Sequence, residues 1–161
     1  MIFSLLTSFV SCAPASPSSE SSFEWFDTVT TVSAYMDDDD FNDMWRVIRE
    51  KFDYYNKLFD IYNEYKGINN LCTVNKNAGK SPVSVDKELI DFMTWARTVY
   101  DITDGKVNIA MGSVLSIWHD YRTAGLDDPF NAELPPKELL DEAAKHTNIN
   151  NLIIDEKNFF I

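Results

Sequence analysis

The densest group of candidate metal ligands is the run Asp37-Asp38-Asp39-Asp40. Four carboxylates suggest a cation site, but nearest neighbours along a chain rarely converge on one ion. The run also stands directly before a helical pattern, where the helix dipole stabilises negative charge. We therefore favour a solvated turn that leads into a helix over a ligand cluster.

Histidine and cysteine chemistry is sparse. His119 and His146 have no partner at metal-ligand or catalytic-triad spacing, so surface or helix-end roles are favoured. Cys12 lies in an apolar head segment and Cys72 in the body, an arrangement that does not favour a disulfide framework. Cys72 follows Leu71 in a moderately apolar stretch, and we predict a buried, inert thiol.

The overall charge excludes one large class of partner. The chain carries 14 Lys and Arg against 26 Asp and Glu, a formal net charge of −12. Nucleic-acid binding requires clustered basic residues, and the sequence has no such cluster. A phosphate-bearing ligand could still be held by backbone N–H groups, a local lysine or a bound Mg²⁺. The alternative is that the acidity only confers solubility.

Three amphipathic helices are predicted, and they must position any site. The first runs from Phe41 to Tyr62 on apolar residues spaced alternately by four and three. The second begins after the N-cap Asp86 and ends near Asp104-Gly105. The third opens at Pro135-Pro136 and runs to about residue 146. Residues 114–118 suggest a further buried turn or helix.

β-Branched and aromatic runs predict strands at residues 26–36, 152–155 and 159–161. A short loop is predicted around residues 74–79. With 161 residues, 45% of them apolar, the chain can bury one core. The fold class is therefore α+β, with helices packed on a small, mostly antiparallel sheet. The last strand ends with the chain, which we interpret as a fold that is incomplete at its C-terminus.

Several motifs together resemble the ApbE family over residues 23–161. Residues 100–118 resemble its pattern of a helix end, Thr-Asp-Gly, a short apolar pair, Asp-Ile-Thr, Gly-Pro-Leu and a Trp. Residues 26–28 resemble its Met-Gly-Thr, residues 58–62 its Leu-Phe-Ser-x-Tyr, and Val74-Asn75 its loop asparagine. This sequence departs from the pattern where Asn108 replaces Asp, Ala110 replaces Thr and Ser113 replaces Pro.

The resemblance implies a FAD:protein FMN transferase that binds FAD with Mg²⁺ and transfers FMN to a threonine of an acceptor protein, releasing AMP. It implies an ApbE-like α+β fold of which this chain is the N-terminal part. The family's Asp-Leu-Ser-Ala and Lys-Gly motifs and its Mg²⁺ ligands are expected further on, so these residues alone are expected to be inactive.

The resemblance also places FAD contacts on particular residues. They are Phe26, Tyr62, Lys106, Val107 and Asn108, the last three largely through backbone groups. Three of them have a plainer alternative. Tyr62 could complete the apolar face of the first helix, Phe26 could be strand packing, and Lys106 could lie in a solvated turn. Asn75 could only cap its own loop.

The head of the chain resembles a bacterial lipoprotein signal. Residues 1–12 are apolar and end at Cys12, the candidate lipidation site, and residues 13–22 form a Ser/Pro-rich tether. An ordinary short signal, or a start further upstream, is the alternative. A lipid anchor implies a location on the extracytoplasmic face of a bacterial membrane, where acceptors of this family are often membrane redox subunits. The alternative to a transferase is a non-enzymatic, acidic, lipid-anchored binding module.

Overall fold

A β-hairpin and five α-helices form residues 16–161, the part of the chain that the computed structural model describes. The chain divides into two compact units, Met1–Asn56 and Lys57–Ile161. The combination of a small antiparallel sheet with helices confirms the α+β class. Residues 1–15, with Cys12, lie outside the described part.

The hairpin belongs to the first unit. Strand β1, Ser18–Ser22, pairs antiparallel with β2, Thr30–Ala34. Hydroxyl groups hydrogen-bond across the strands, at 2.8 Å between the Oγ atoms of Ser19 and Ser33. Part of the stretch expected to be a tether is thus a strand, because serine hydroxyls facing each other across the strands add hydrogen bonds to the backbone pairing.

The strand predicted at residues 26–36 is shorter than expected. Phe26 and Asp27 have φ angles of 56° and 49°, in the left-handed region that a strand cannot contain. The aromatic run around them instead supplies the local core. Trp25 is 3% exposed and meets Trp45 and Phe52 edge-to-face, with ring centroids 5.9 and 5.4 Å apart.

Helix α1, Asp38–Phe59, confirms the first predicted helix, but Asp38, Asp39 and Asp40 lie in its first turn rather than in a turn ahead of it. Asp37 Oδ1 accepts a hydrogen bond from the N–H of Asp40 at 3.0 Å, which caps the helix. This bond lowers the pKa of Asp37. The helix ends before Tyr62 because the backbone N–H groups of Tyr62 and Asn63 donate to the Asp60 carboxylate instead of to helical carbonyl groups.

Helices α2, Leu71–Asn77, and α3, Lys87–Ile102, lie in the second unit. The loop predicted at residues 74–79 is wrong over most of its length, because Asn70 caps a helix there. Asp86 occupies the N-cap position of α3, as predicted, although its side chain makes no capping hydrogen bond. The buried thiol is also confirmed, since Cys72 is free and 3% exposed. The core of this unit is built from the following residues: Leu58, Cys72, Val83, Val85, Leu89, Ile90, Met93, Ala96 and Ile149.

Helices α4, Gly112–Asp127, and α5, Lys137–Ala144, complete the second unit. A helix over residues 114–118 is confirmed, but its burial is not, since Leu115 is 59% and Trp118 42% exposed. Among residues 16–161 no helix is both long and apolar enough to cross a bilayer.

The two C-terminal strands predicted at residues 152–155 and 159–161 are wrong as regular strands. Only isolated bridges form, between Asp155 and Phe160 and between Ser84 and Phe160. Phe159 has a φ angle of 57°, which interrupts an extended conformation. Backbone bonds between Val83 and Ile161, at 2.8 and 3.0 Å, nevertheless hold the last residues against the core.

Candidate functional site

The turn after α3 is fixed by two residues with positive φ. Asp104 and Gly105 have φ angles of 52° and 75°, and the N–H of Gly105 donates to the carbonyl of Tyr100 at 2.9 Å. A Cβ on Gly105 would lie 3.3 Å from the Tyr100 hydroxyl oxygen. Glycine is therefore favoured here by its backbone conformation, and any larger residue would also require the Tyr100 ring to shift slightly.

Thr103 holds the residues that follow. Its Oγ1 donates to the carbonyl of Val99 at 2.8 Å and accepts the N–H of Val107 at 3.1 Å, and its carbonyl accepts the N–H of Lys106 at 3.2 Å. The N–H groups of Lys106 and Val107 are thus already used. Both residues are exposed, and a ligand that contacts them must bind their carbonyl oxygens or their side chains.

The side chain of Asn108 is committed to the fold. Its Oδ1 accepts the N–H of Ala110 at 2.8 Å, and its Nδ2 donates to the carbonyl of Thr147 at 2.8 Å. Asn108 thereby caps a 3₁₀ turn, Ile109–Met111, that leads directly into α4. The amide can make both bonds, which an ionised carboxylate could not, because only the amide has a donor.

Tyr62 is 66% exposed, so the alternative that it belongs to the core of the first helix is wrong. Its ring lies beside that of His119 on α4, with centroids 5.9 Å apart and planes inclined by 39°. Sequence reasoning missed His119, because no spacing pattern links two residues that only the packing of a loop on a helix brings together. The two rings offer an exposed aromatic surface.

Tyr62 lies beside His119 of α4, and the turn after α3 leads into the same helix through the 3₁₀ turn Ile109–Met111. His119 lies seven residues after Gly112, the first residue of α4. At about 1.5 Å per residue this separates them by about 10 Å along the helix. This distance of about 10 Å therefore separates His119 from the start of α4, and the turn at residues 104–108 lies before that helix, beyond the 3₁₀ turn.

Phe26 lies in the first unit and is 45% exposed. Its N–H donates to Asn56 Oδ1 at 2.9 Å, and its ring meets Phe52 edge-to-face at 6.2 Å. The alternative that Phe26 packs within a strand is wrong, since the strand begins at Thr30. Asn75 lies within α2 and is exposed, so it does not cap its own loop.

A cavity of about 790 Å³ lies in the second unit between residues 74–82 and 151–161. It contains none of the five residues predicted to contact FAD. No group of three or more His, Cys, Asp or Glu within residues 16–161 is arranged to hold a metal ion.

Comparison with known proteins decides the family. The model of the ApbE family matches residues 26–160. The chain belongs to the ApbE family.

Its relatives agree with this assignment. A FAD:protein FMN transferase of Chlamydia muridarum (strain MoPn / Nigg) is 24% identical over 111 residues, which cover 69% of this chain and 32% of that protein. The FAD:protein FMN transferase of Chlamydia pneumoniae is 23% identical over 91 residues, covering 56% and 27%. The chain thus spans about a third or less of the length of these curated relatives.

A solved structure shows the same fold. The ApbE protein of Thermotoga maritima aligns with a TM-score of 0.70 at 20% identity, over 89% of this chain and 43% of that one. The ApbE-like α+β fold is therefore confirmed.

Proposed function

We propose that the gene product containing this chain is a FAD:protein FMN transferase, to which these residues contribute the N-terminal part. The observation that carries the proposal is the family match over residues 26–160, together with relatives of that name. The chain contributes one part of the FAD site, which the rest of the gene product completes. The turn at residues 104–108, in which Lys106 and Val107 are exposed, leads into α4, and the exposed ring of Tyr62 lies beside His119 of the same helix.

In this proposal the rings of Tyr62 and His119 stack on an aromatic ring of FAD. The carbonyl oxygens of Lys106 and Val107 accept hydrogen bonds from its hydroxyl or amino groups. Lys106 is the basic residue of the turn at residues 104–108, and its side chain would attract the diphosphate of FAD. Phe26 remains a predicted flavin contact, presented by a backbone that Asn56 fixes.

The proposed reaction joins the threonine oxygen of an acceptor protein to the phosphorus of the FMN moiety. The bond from that phosphorus to the AMP phosphate breaks, and AMP leaves. Such a transfer depends on positioning and charge stabilisation rather than on covalent chemistry by the protein. We propose a requirement for Mg²⁺, with ligands outside residues 16–161.

We also propose that Cys12 carries a lipid anchor on the extracytoplasmic face of a bacterial membrane. An acidic domain on a tether would then meet acceptors such as membrane redox subunits. Globomycin sensitivity of the processing of the complete gene product would support this, and processing unaffected by Cys12→Ser would contradict it.

The test is FAD binding and flavin transfer by the complete gene product. FAD binding is followed by flavin fluorescence, and transfer to a threonine-bearing acceptor by in-gel flavin fluorescence. We expect transfer to cease when Mg²⁺ is chelated, and the 161-residue chain alone to be inactive. Tight FAD binding by the 161-residue chain with Mg²⁺ would contradict the proposed division of the site.

A matched pair of tyrosines makes the test specific. Tyr62→Ala removes a stacking ring and should raise the Kd for FAD by about tenfold, which corresponds to about 1.4 kcal/mol. Tyr35→Ala removes an exposed ring from the hairpin, 77% exposed, and should leave the Kd unchanged. A gene product that binds no FAD would instead support the non-enzymatic binding module.

A further inference from the structure

The carboxylate of Asp60 organises the segment that carries Tyr62. Its Oδ1 accepts the backbone N–H groups of Tyr62 and Asn63 at 2.7 and 3.1 Å. Its Oδ2 accepts the Asn63 side-chain amide at 3.0 Å and the Tyr65 hydroxyl at 2.7 Å. Both carboxylate oxygens thus accept hydrogen bonds from residues that follow Asp60 by two to five positions, directly after the end of α1.

The same residue joins this turn to the next helix. The carbonyl of Asp60 accepts the N–H of Cys72 at 3.0 Å, near the start of α2. From the other side, the buried amide of Asn70 donates to the carbonyl of Asn63 at 2.7 Å. The backbone on either side of Tyr62 is therefore fixed at several points.

The Tyr62 side chain itself has little packing to hold it. It is 66% exposed, and His119 is the ring beside it. An exposed residue on a free loop loses about 1–2 kcal/mol of backbone conformational freedom when a ligand orders it. A turn that is already ordered avoids this loss, and the ligand meets the ring in place.

Asp60 holds the turn over the whole physiological pH range. Partial desolvation opposes its ionisation, but the hydrogen bonds from Asn63, Tyr65 and the N–H of Tyr62 outweigh it and lower the pKa of Asp60 to about 2. The carboxylate is therefore always ionised when FAD would bind.

We propose that Asp60 is a positioning residue, which fixes the turn so that the Tyr62 ring is held in place for stacking on FAD. The proposal rests on the proposed function, because it assigns a role in FAD binding. Asp60 itself does not contact FAD in this proposal; Tyr62 makes the contact.

The decisive experiment is a double-mutant cycle in the complete gene product, with the Kd for FAD as the readout. We expect Asp60→Ala to raise the Kd about fivefold to tenfold in the wild-type background. In the Tyr62→Ala background the same change should alter the Kd less than twofold, because Asp60 acts through Tyr62. A purely structural role would reduce affinity equally in both backgrounds, and that result would overturn the proposal.

A second turn in the chain provides a matched control. Asp155 accepts the N–H groups of Lys157 and Asn158 at 3.1 and 3.0 Å, in the same arrangement as Asp60. Asp155→Ala should change the Kd for FAD less than twofold. An increase as large as that from Asp60→Ala would show a general loss of turn structure and would contradict the proposal.

Asp60→Asn keeps an oxygen that can accept both backbone N–H groups, so it should restore the Kd to within about twofold of wild type. It also keeps the proposal testable if the alanine variant does not fold. NMR exchange rates of the Tyr62 and Asn63 amides should rise in Asp60→Ala and stay low in Asp60→Asn. Unchanged exchange in Asp60→Ala would overturn the positioning role, whereas absence of FAD binding by wild type would overturn the proposed function itself.

Discussion

Replacement of Asn70 by alanine should destabilise the second unit more than any surface substitution. Asn70 is 0% exposed. Its Nδ2 donates to the carbonyls of Lys57 and Asn63 at 2.9 and 2.7 Å, and its Oδ1 accepts the N–H of Thr73 at 3.0 Å. One side chain thus caps α2 and ties it to the end of α1 and to the turn that follows α1.

The magnitude follows from these bonds. Loss of the N-cap interaction costs about 1 kcal/mol. Two carbonyl groups that lose their donor cost about 1 kcal/mol each, because water reaches them only in part. The expected loss in free energy of unfolding is therefore about 3 kcal/mol, which shifts a urea midpoint by more than about 1 M.

The measurement is urea unfolding followed by circular dichroism, with the neighbouring Asn69→Ala as the control. Asn69 is exposed and its Nδ2 makes one bond, to the carbonyl of Ser84 at 2.8 Å. This variant should lose less than about 1 kcal/mol. Asn70→Asp keeps the capping oxygen but has no amide donor, so it should be nearly as unstable as Asn70→Ala at neutral pH. If Asn70→Ala and Asn69→Ala unfold at the same urea concentration, the reasoning is refuted.

Two further predictions concern the turns of the site. Gly105→Ala gives alanine a φ angle of 75° and places its Cβ 3.3 Å from the Tyr100 hydroxyl oxygen. The free energy of unfolding should fall by about 1–2 kcal/mol, which lowers the melting temperature. Gly112→Ala, within α4 and with open space around it, is the control, and equal melting temperatures for the two variants would contradict the proposed strain. Asp60 has a folded pKa of about 2 against an ordinary value of 3.8, so its stabilisation is present above about pH 4 and is lost as the pH falls towards 2. The difference in unfolding free energy between wild type and Asp60→Asn should stay constant from pH 7 to 5. It should shrink by about 1–2 kcal/mol between pH 4 and 2, allowing for screening by water. A difference that does not depend on pH would contradict the lowered pKa of Asp60.

The amphipathic patterns predicted the helices because burial of one face governs helical sequences. The first helix, the N-cap at Asp86 and the role of the acidic run at residues 37–40 all follow from local chemistry. The same local rules identified the Asp104-Gly105 stop, since a positive φ favours glycine. Motif order was enough to indicate the family before any comparison.

Contacts distant in sequence decided the rest. Helix α2 was missed because its cap, Asn70, is stabilised by carbonyls of Lys57 and Asn63, which no local pattern reveals. The C-terminal runs were predicted as strands, but their pairing is confined to isolated bridges.

In the candidate site, too, local sequence identified residues, and contacts distant in sequence decided their surroundings. Sequence selected Tyr62 through a motif, whereas the tertiary structure decided that its ring is exposed and lies beside His119. It also committed the side-chain amide of Asn108 to the carbonyl of Thr147, which lies far along the chain. Side-chain identity is a local property, but exposure and hydrogen-bond partners depend on which distant segments fold against it.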